Sequence, residues 1–292
     1  MTKETKDKLP VQQLLVPDYI LKLSKFLTRV SPFLASRFAA RLFLSPFRYS
    51  LPEREREMFE NSEIEKEKVP SINREIVVYK YGKSDKKVLL VHGWSGRGTQ
   101  LSRIALDLKE NGFSTVSFDA PAHGEAPGKI SMMPFFIEAV HYLDKKYGPF
   151  EAVIGHSLGG MSSLKAIKDG LSTKKLVIIG TANSVTKITR DFANNMNMNQ
   201  EVAQRMKEYL DSKFGQDMDE YSGAVSAMEV MTPTLIIHDE QDVDVSVKDA
   251  QEIHEALDNS EIFITTGLGH RRILGNPEVI NKITTFITAQ SL

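Results

Sequence analysis

The sequence predicts an α/β protein built on a mostly parallel sheet, and three observations carry that expectation. Short apolar, β-branched runs recur along the chain. Helical patterns separate most of them. A glycine-rich turn sits directly between one such run and the helical pattern after it. Apolar runs alternating with helices are the signature of βαβ units, whose strands are buried on both faces.

Taken in order, an edge strand is expected near Ile64 to Val69. Glu75 to Tyr81 alternates and contains Ile76, Val77, Val78 and Tyr79. Lys87 to Val91, Phe113 to Phe118, Phe150 to Ile154, Leu176 to Ile179, Thr234 to Ile237 and Ile262 to Thr265 complete the set of strands. Helical patterns fill about 99–110, 132–146, 158–169, 247–257 and 277–289. One interval breaks the rhythm, between Gly180 and Thr234. Structureless loops longer than about 15 residues are uncommon, so this Asn- and Met-rich stretch is expected to be a helical insertion over one end of the sheet.

Composition narrows the function classes. The 292 residues fit one large α/β domain or two smaller ones, and 41% hydrophobic content supplies a sizeable core. A net charge of −1 removes any global electrostatic case for nucleic-acid binding. The absence of cysteine excludes disulfides, thiolate metal sites and a cysteine nucleophile, and fits a cytoplasmic protein. No apolar run reaches the ~20 residues that span a bilayer, and Met1 to Lys8 leads into no signal-peptide core.

Residues 1–62 stand apart as a basic helical extension and connector. Residues 1–50 hold nine Lys/Arg against three Asp/Glu, and no acid occurs from Tyr19 to Pro52. Ile20, Leu23, Leu27 and Val30 recur at helical spacing. Pro32 ends that helix or begins a second, with Phe33, Leu34, Phe38, Leu42 and Phe43. Two readings stay open: an apolar face packed on the main domain, or peripheral membrane contact through residues 19–50. Residues 53–68, dense in Glu, Arg and Lys, read as a solvated connector running into the first strand.

The chemistry centres on Gly155-His156-Ser157-Leu158-Gly159-Gly160, directly after Ala152-Val153-Ile154 and before a helical pattern. A serine on so tight a strand-to-helix turn has a strained backbone, and glycines two residues either side remove clashing Cβ atoms. The following helix offers free N–H groups to a developing anion. A serine hydroxyl needs a base. Of seven histidines, His270 lies in a loop after a late strand, whereas His141 and His254 sit in helical patterns, His156 points elsewhere along the turn and His238 is read as structural.

The base needs an acid to fix its tautomer. Asp239, Asp242 and Asp244 follow the strand Thr234 to Ile237, and Asp242 is favoured because it lies deep enough in the loop to reach over the sheet. Two backbone donors must hold an oxyanion. They are expected at Leu158 and at Trp94, in the loop His92-Gly93-Trp94 after the strand Val88 to Val91, with the Trp94 ring lining the pocket.

Together these residues resemble the α/β-hydrolase superfamily over roughly residues 63–290, within a domain expected to span 63–292, with Ser157, Asp242 and His270 in the chain order of that fold. Asp119-Ala120-Pro121-Ala122-His123-Gly124 is similar to the family's Asp-x-x-Gly-His-Gly stretch, with Ala122 where glycine is common; His123 is taken as non-catalytic. The resemblance implies an eight-stranded sheet with helices on both faces and a lid after strand six, at about residues 183–228. It implies an acyl-enzyme mechanism with no metal and no organic cofactor.

The leading expectation is a serine esterase acting on a small-molecule acyl substrate. A membrane-surface lipase or lysophospholipase is the alternative, motivated by the basic extension. A hydrolase-fold binding module with an unused triad is the alternative of another class.

Overall fold

A computed structural model describes residues 16–289. Three helices precede the sheet: α1 (Asp18–Val30), α2 (Pro32–Phe43) and α3 (Glu53–Glu60). The remaining order is β1 (Ser62–Val69), β2 (Arg74–Tyr81), β3 (Lys87–Val91), α4 (Ser102–Glu110), β4 (Ser114–Asp119), α5 (Met133–Tyr147), β5 (Phe150–His156), α6 (Leu158–Lys168) and β6 (Thr173–Ile179). An insertion of α7 (Val185–Asn195), α8 (Gln200–Phe214), a 3-10 turn at Met218–Tyr221 and α9 (Gly223–Ala227) follows. The chain then returns through β7 (Thr234–Asp239), α10 (Val247–Ala256), β8 (Ser260–Thr265), α11 (Gly269–Arg272) and α12 (Pro277–Thr288).

The eight strands lie in the order β1-β2-β4-β3-β5-β6-β7-β8. β1 and β2 run antiparallel at one edge, and every pairing from β4 to β8 is parallel. The two-residue period of a strand divides the core. Val88, Leu90, Ile154, Val177 and Ile237 pack with α4 and α12, while Leu89, Val91, Val153, Ile178 and Ile236 pack with α5, α6 and α10. Because these strands are parallel, the loops after β3, β5, β7 and β8 emerge at one edge.

The extension is more ordered than its charge pattern suggests. The stretch read as a solvated connector contains α3, whose Glu55 and Met58 are fully buried. Thr99 Oγ1 donates to Glu55 Oε2 at 2.8 Å, and Tyr81 OH donates to Glu57 at 2.8 Å. These acids are spent on partners contributed by distant segments, which a local charge count does not reveal. Ser31 separates α1 from α2, its hydroxyl accepting the Leu34 N–H at 3.3 Å, and Pro32 opens α2 at a position where its missing N–H costs nothing. Through buried Ala35, Ser36, Ala39 and Ala40, α2 packs closely on α8 of the insertion.

The Ile20–Val30 stripe splits in three dimensions. Ile20 and Leu27 turn inward, while Leu23 and Val30 face solvent. In the insertion, Met196, Met198 and Met206 are buried in the core it shares with the main domain and α2, and Met228 is exposed.

Candidate active site

Ser157 occupies the single residue between β5 and α6, at φ 52° and ψ −118°. A non-glycine residue held at positive φ costs about 1–3 kcal/mol and persists only where the surroundings enforce it. Here they do. Ser157 N–H donates to Ile179 O at 2.8 Å, tying the turn to β6. A Cβ at Gly155 would lie 2.5 Å from Gly159 O, and one at Gly159 would lie 2.2 Å from Val91 O. The chain doubles back within space that only glycine allows, so the serine side chain is left at the sheet edge.

Asp242 and His270 meet there. His270 Nδ1–H donates to Asp242 Oδ2 at 2.7 Å. The other oxygen, Oδ1, accepts the Asp244 and Val245 N–H groups, each at 2.9 Å. Burial by itself would raise the Asp242 pKa. The hydrogen bond from His270, with the bonds from the loop, outweighs it and holds the carboxyl below its usual range. Asp239 is turned elsewhere: it accepts from Gln241 N–H, Leu268 N–H and the Thr265 hydroxyl, which pins the loop leading to His270. His238 is buried, donates to Val245 O at 3.0 Å, and lies 3.6 Å from Asp242 Oδ2. Burial keeps it neutral by lowering its pKa.

Two further residues shape this corner. Gly180 sits at φ 56°, and a Cβ there would lie 3.1 Å from His270 Nδ1. The sequence treats Gly180 only as the end of a strand; the close approach is visible only when β6 and the last loop are placed together. His156, expected to point elsewhere along the turn, donates from Nε2 to His270 O at 3.0 Å, with the two rings 4.6 Å apart. It braces the segment that carries the base.

Leu158 opens α6, where its N–H is one of the free groups of the first turn. On the facing loop, a Cβ at Gly93 would lie 3.1 Å from Ser157 Cβ, so that backbone abuts the serine. Gly93 N–H is committed to Gln100 Oε1 at 2.8 Å, which leaves Trp94 as the next backbone donor along the loop. His92 fastens the loop beneath: Nδ1–H donates to Gly93 O at 2.7 Å, and Nε2 accepts the Ala120 N–H at 3.1 Å. Asp119 holds the adjoining turn by accepting from Gly98 N–H, Glu125 N–H and Tyr79 OH. Ala122 lies at φ 66°, which is why glycine suits that position. His123 is buried under the Trp94 ring, 5.2 Å away and edge-on.

Ser157, Leu158, Trp94 and His270 all line one cavity of about 730 Å³. Its walls are mostly apolar. The insertion contributes Val185, Ile188, Phe192 and Met218, and the main domain adds Met132, Met133 and Met161. The extension supplies Leu42, Phe43, Leu44, Phe47 and Tyr49. Phe43 stacks on Trp94 at 6.4 Å and meets Phe192 edge-on at 5.2 Å, so it joins α2, the serine loop and the insertion. No sequence motif announces this wall, because it depends on where α2 docks.

Four buried histidines set an acid limit. Burial lowers His92 to about 4 and pushes His123, His156 and His238 below their usual value. In the unfolded chain each takes a proton near pH 6.5. The unfolded state therefore binds more protons as pH falls, and this contribution, complete above about pH 6.5, is lost progressively towards pH 4. For His92 alone the loss is about 2 kcal/mol by pH 5. Glu55, Asp119 and Asp249, raised by burial, act in the opposite sense. The measurement is accordingly a difference. The stability lost between pH 8 and pH 5 is smaller by about 2 kcal/mol in His92→Gln than in wild type. An identical loss in both proteins contradicts the assignment.

A family model described as serine aminopeptidase, S33, matches residues 82–223, a span that contains Ser157 but ends before Asp242 and His270. No curated protein sequence matches the chain. Among solved structures, an esterase of Pyrococcus furiosus superposes with a TM-score of 0.63 at 19% identity, over 84% of this chain and 96% of that one. An esterase from Exiguobacterium antarcticum gives 0.58 at 15% identity, over 75% and 97%. A bromoperoxidase from Bacillus anthracis gives 0.59 at 16% identity, over 77% and 99%. The fold is thus shared by proteins described with different chemistries, and the choice among chemistries rests on the site.

Proposed function

We propose that the chain is an α/β-hydrolase that hydrolyses a carboxylic ester of an apolar acyl group through an acyl-enzyme, a reading supported by the family model over residues 82–223 and by the fold shared with solved esterases. The observation that carries this reading is the 2.7 Å bond from His270 Nδ1 to Asp242, in the same cavity as a serine held at positive φ. With Nδ1 committed to the carboxylate, Nε2 is the nitrogen that accepts the Ser157 proton as the hydroxyl attacks the carbonyl. Asp242, kept ionised, stabilises the imidazolium that results. The N–H groups of Leu158 and Trp94 hold the tetrahedral oxyanion. His270 returns the proton to the leaving alcohol, and a water repeats the cycle on the acyl-enzyme. The insertion acts as a lid whose Phe192 and Ile188, together with Phe43 of the extension, favour an apolar acyl chain over a polar one.

A fluorophosphonate probe labels the wild-type protein and leaves Ser157→Ala unlabelled. Across a chain-length series of p-nitrophenyl esters, kcat/KM is higher for medium-chain esters than for acetate by about 10-fold or more, since each buried methylene adds about 0.8 kcal/mol. Folded wild-type protein that takes no probe contradicts the hydrolase reading and favours a binding module.

A further inference from the structure

The outer face of α1 and the start of α2 have a composition that water does not explain. Of the large hydrophobic side chains that are exposed among the described residues, eight of twelve fall between Tyr19 and Tyr49. Tyr19, Leu23, Phe26 and Val30 follow one another at spacings of four, three and four. At 3.6 residues per turn this confines them to about 60° of helix circumference. They are not marginal exposures: Tyr19 is 68% exposed, Phe26 59% and Val30 62%. Phe33 and Leu34 continue the surface at the bend into α2. The inward face of the same helix carries Ser24, fully buried, at its centre. Ile20, Leu21 and Leu27 pack inward around Ser24, so α1 already has a packed side, and its aromatic side faces outward as a second apolar surface that packing does not require.

Charge identifies what covers it. Lys22, Lys25 and Arg29 are exposed and lie along one flank of the stripe, and the whole stretch from Tyr19 to Pro52 contains no acid. A second copy of this surface would meet it with like charge. An anionic bilayer meets it with complementary charge and an apolar interior for the aromatic rings. The same extension then runs on into Leu42, Phe43, Phe47 and Tyr49 at the wall of the cavity, so the docked surface and the cavity belong to one continuous segment.

We propose that α1 and the first turn of α2 form a docking surface for an anionic lipid bilayer, with Tyr19, Leu23, Phe26, Val30, Phe33 and Leu34 entering the interface and Lys22, Lys25 and Arg29 contacting the headgroups. This binding is independent of the hydrolytic chemistry, and its test uses the full chain carrying Ser157→Ala so that no lipid is consumed. The protein co-sediments with phosphatidylcholine vesicles containing phosphatidylglycerol, binds vesicles of phosphatidylcholine alone more weakly, and is released as salt rises. Phe26→Ser with Phe33→Ser lowers the partition coefficient about 10-fold or more, and Lys22→Glu with Lys25→Glu and Arg29→Glu does the same. With Ser157 intact, both sets leave hydrolysis of a water-soluble ester within about twofold of wild type, because none of these side chains lines the cavity. Absence of co-sedimentation overturns the proposal, as does retention of binding by both sets of variants. Equal capture by neutral vesicles overturns the anionic assignment. A dimer that the same substitutions dissociate, with no vesicle binding, assigns the surface to a second copy instead.

Discussion

His270→Ala and Asp242→Asn each lower kcat by about four orders of magnitude while the protein remains folded, the effect expected when a serine loses its base or the base loses its tautomer. The asparagine change is the sharper of the two. It preserves shape and leaves the Asp244 and Val245 N–H groups a carbonyl acceptor at the Oδ1 position, but it no longer fixes the proton on His270 Nδ1. Losses of the two changes do not add, because both disable one unit. Asp239→Asn separates positioning from proton chemistry. Its carboxylate accepts from Leu268 N–H and Thr265, so its loss loosens the loop that leads to His270 and costs less than Asp242→Asn. Asp244→Asn likewise stays well above the Asp242→Asn rate. Steady-state kinetics on one soluble ester, with circular dichroism to verify folding, decides the matter. Full activity in Asp242→Asn together with loss in Asp244→Asn would falsify the assignment of the acid.

Gly159→Ala is the substitution with the largest expected effect on the fold around the serine. The added methyl would lie 2.2 Å from Val91 O and 2.7 Å from His92 O. Both are backbone atoms, so relief requires α6 to move away from the end of β3. Overpacking of this kind costs about 3 kcal/mol or more, which lowers Tm by roughly 6–12 °C in a chain of this size. Activity falls with it, since the displaced elements carry Leu158 and Trp94. The neighbouring glycine supplies the contrast. The three atoms nearest a methyl at Gly160 all belong to the Thr181 side chain, with Oγ1 at 2.0 Å, and that hydroxyl is buried without a hydrogen-bond partner among the described residues. Thr181→Ala therefore restores most of the stability lost in Gly160→Ala and none of that lost in Gly159→Ala. Calorimetry of the three single variants and the two double variants reads this directly; an unchanged Tm in Gly159→Ala would contradict the close approach of α6 to β3.

The α/β class, the strands and their sheet, and the turn at Ser157 were legible because each is local. A strand buried on both faces must be continuously apolar, and a strand-to-helix reversal within one residue must be flanked by glycine, whatever else the protein does. The positions of Asp242 and His270 after their strands were legible for a related reason: parallel strands deliver the loops that follow them to a common edge. Which of three aspartates faces the imidazole was decided by hydrogen bonds between loops far apart in sequence, as Asp239 turning to Leu268 and Thr265 illustrates. Glu55 reads as solvated and is fully buried, because Thr99 arrives from another segment.

The extension marks the boundary most clearly. Its sequence determined two helices, a break near Pro32 and an excess of positive charge. Periodicity reports that a helix has an apolar side, but not what that side touches. Only the tertiary structure divided Ile20 and Leu27 from Leu23 and Val30, and only it carried Phe43 to the Trp94 ring above the serine. Both outcomes depend on α2 docking against α8, a contact between surfaces more than 150 residues apart that no local pattern encodes.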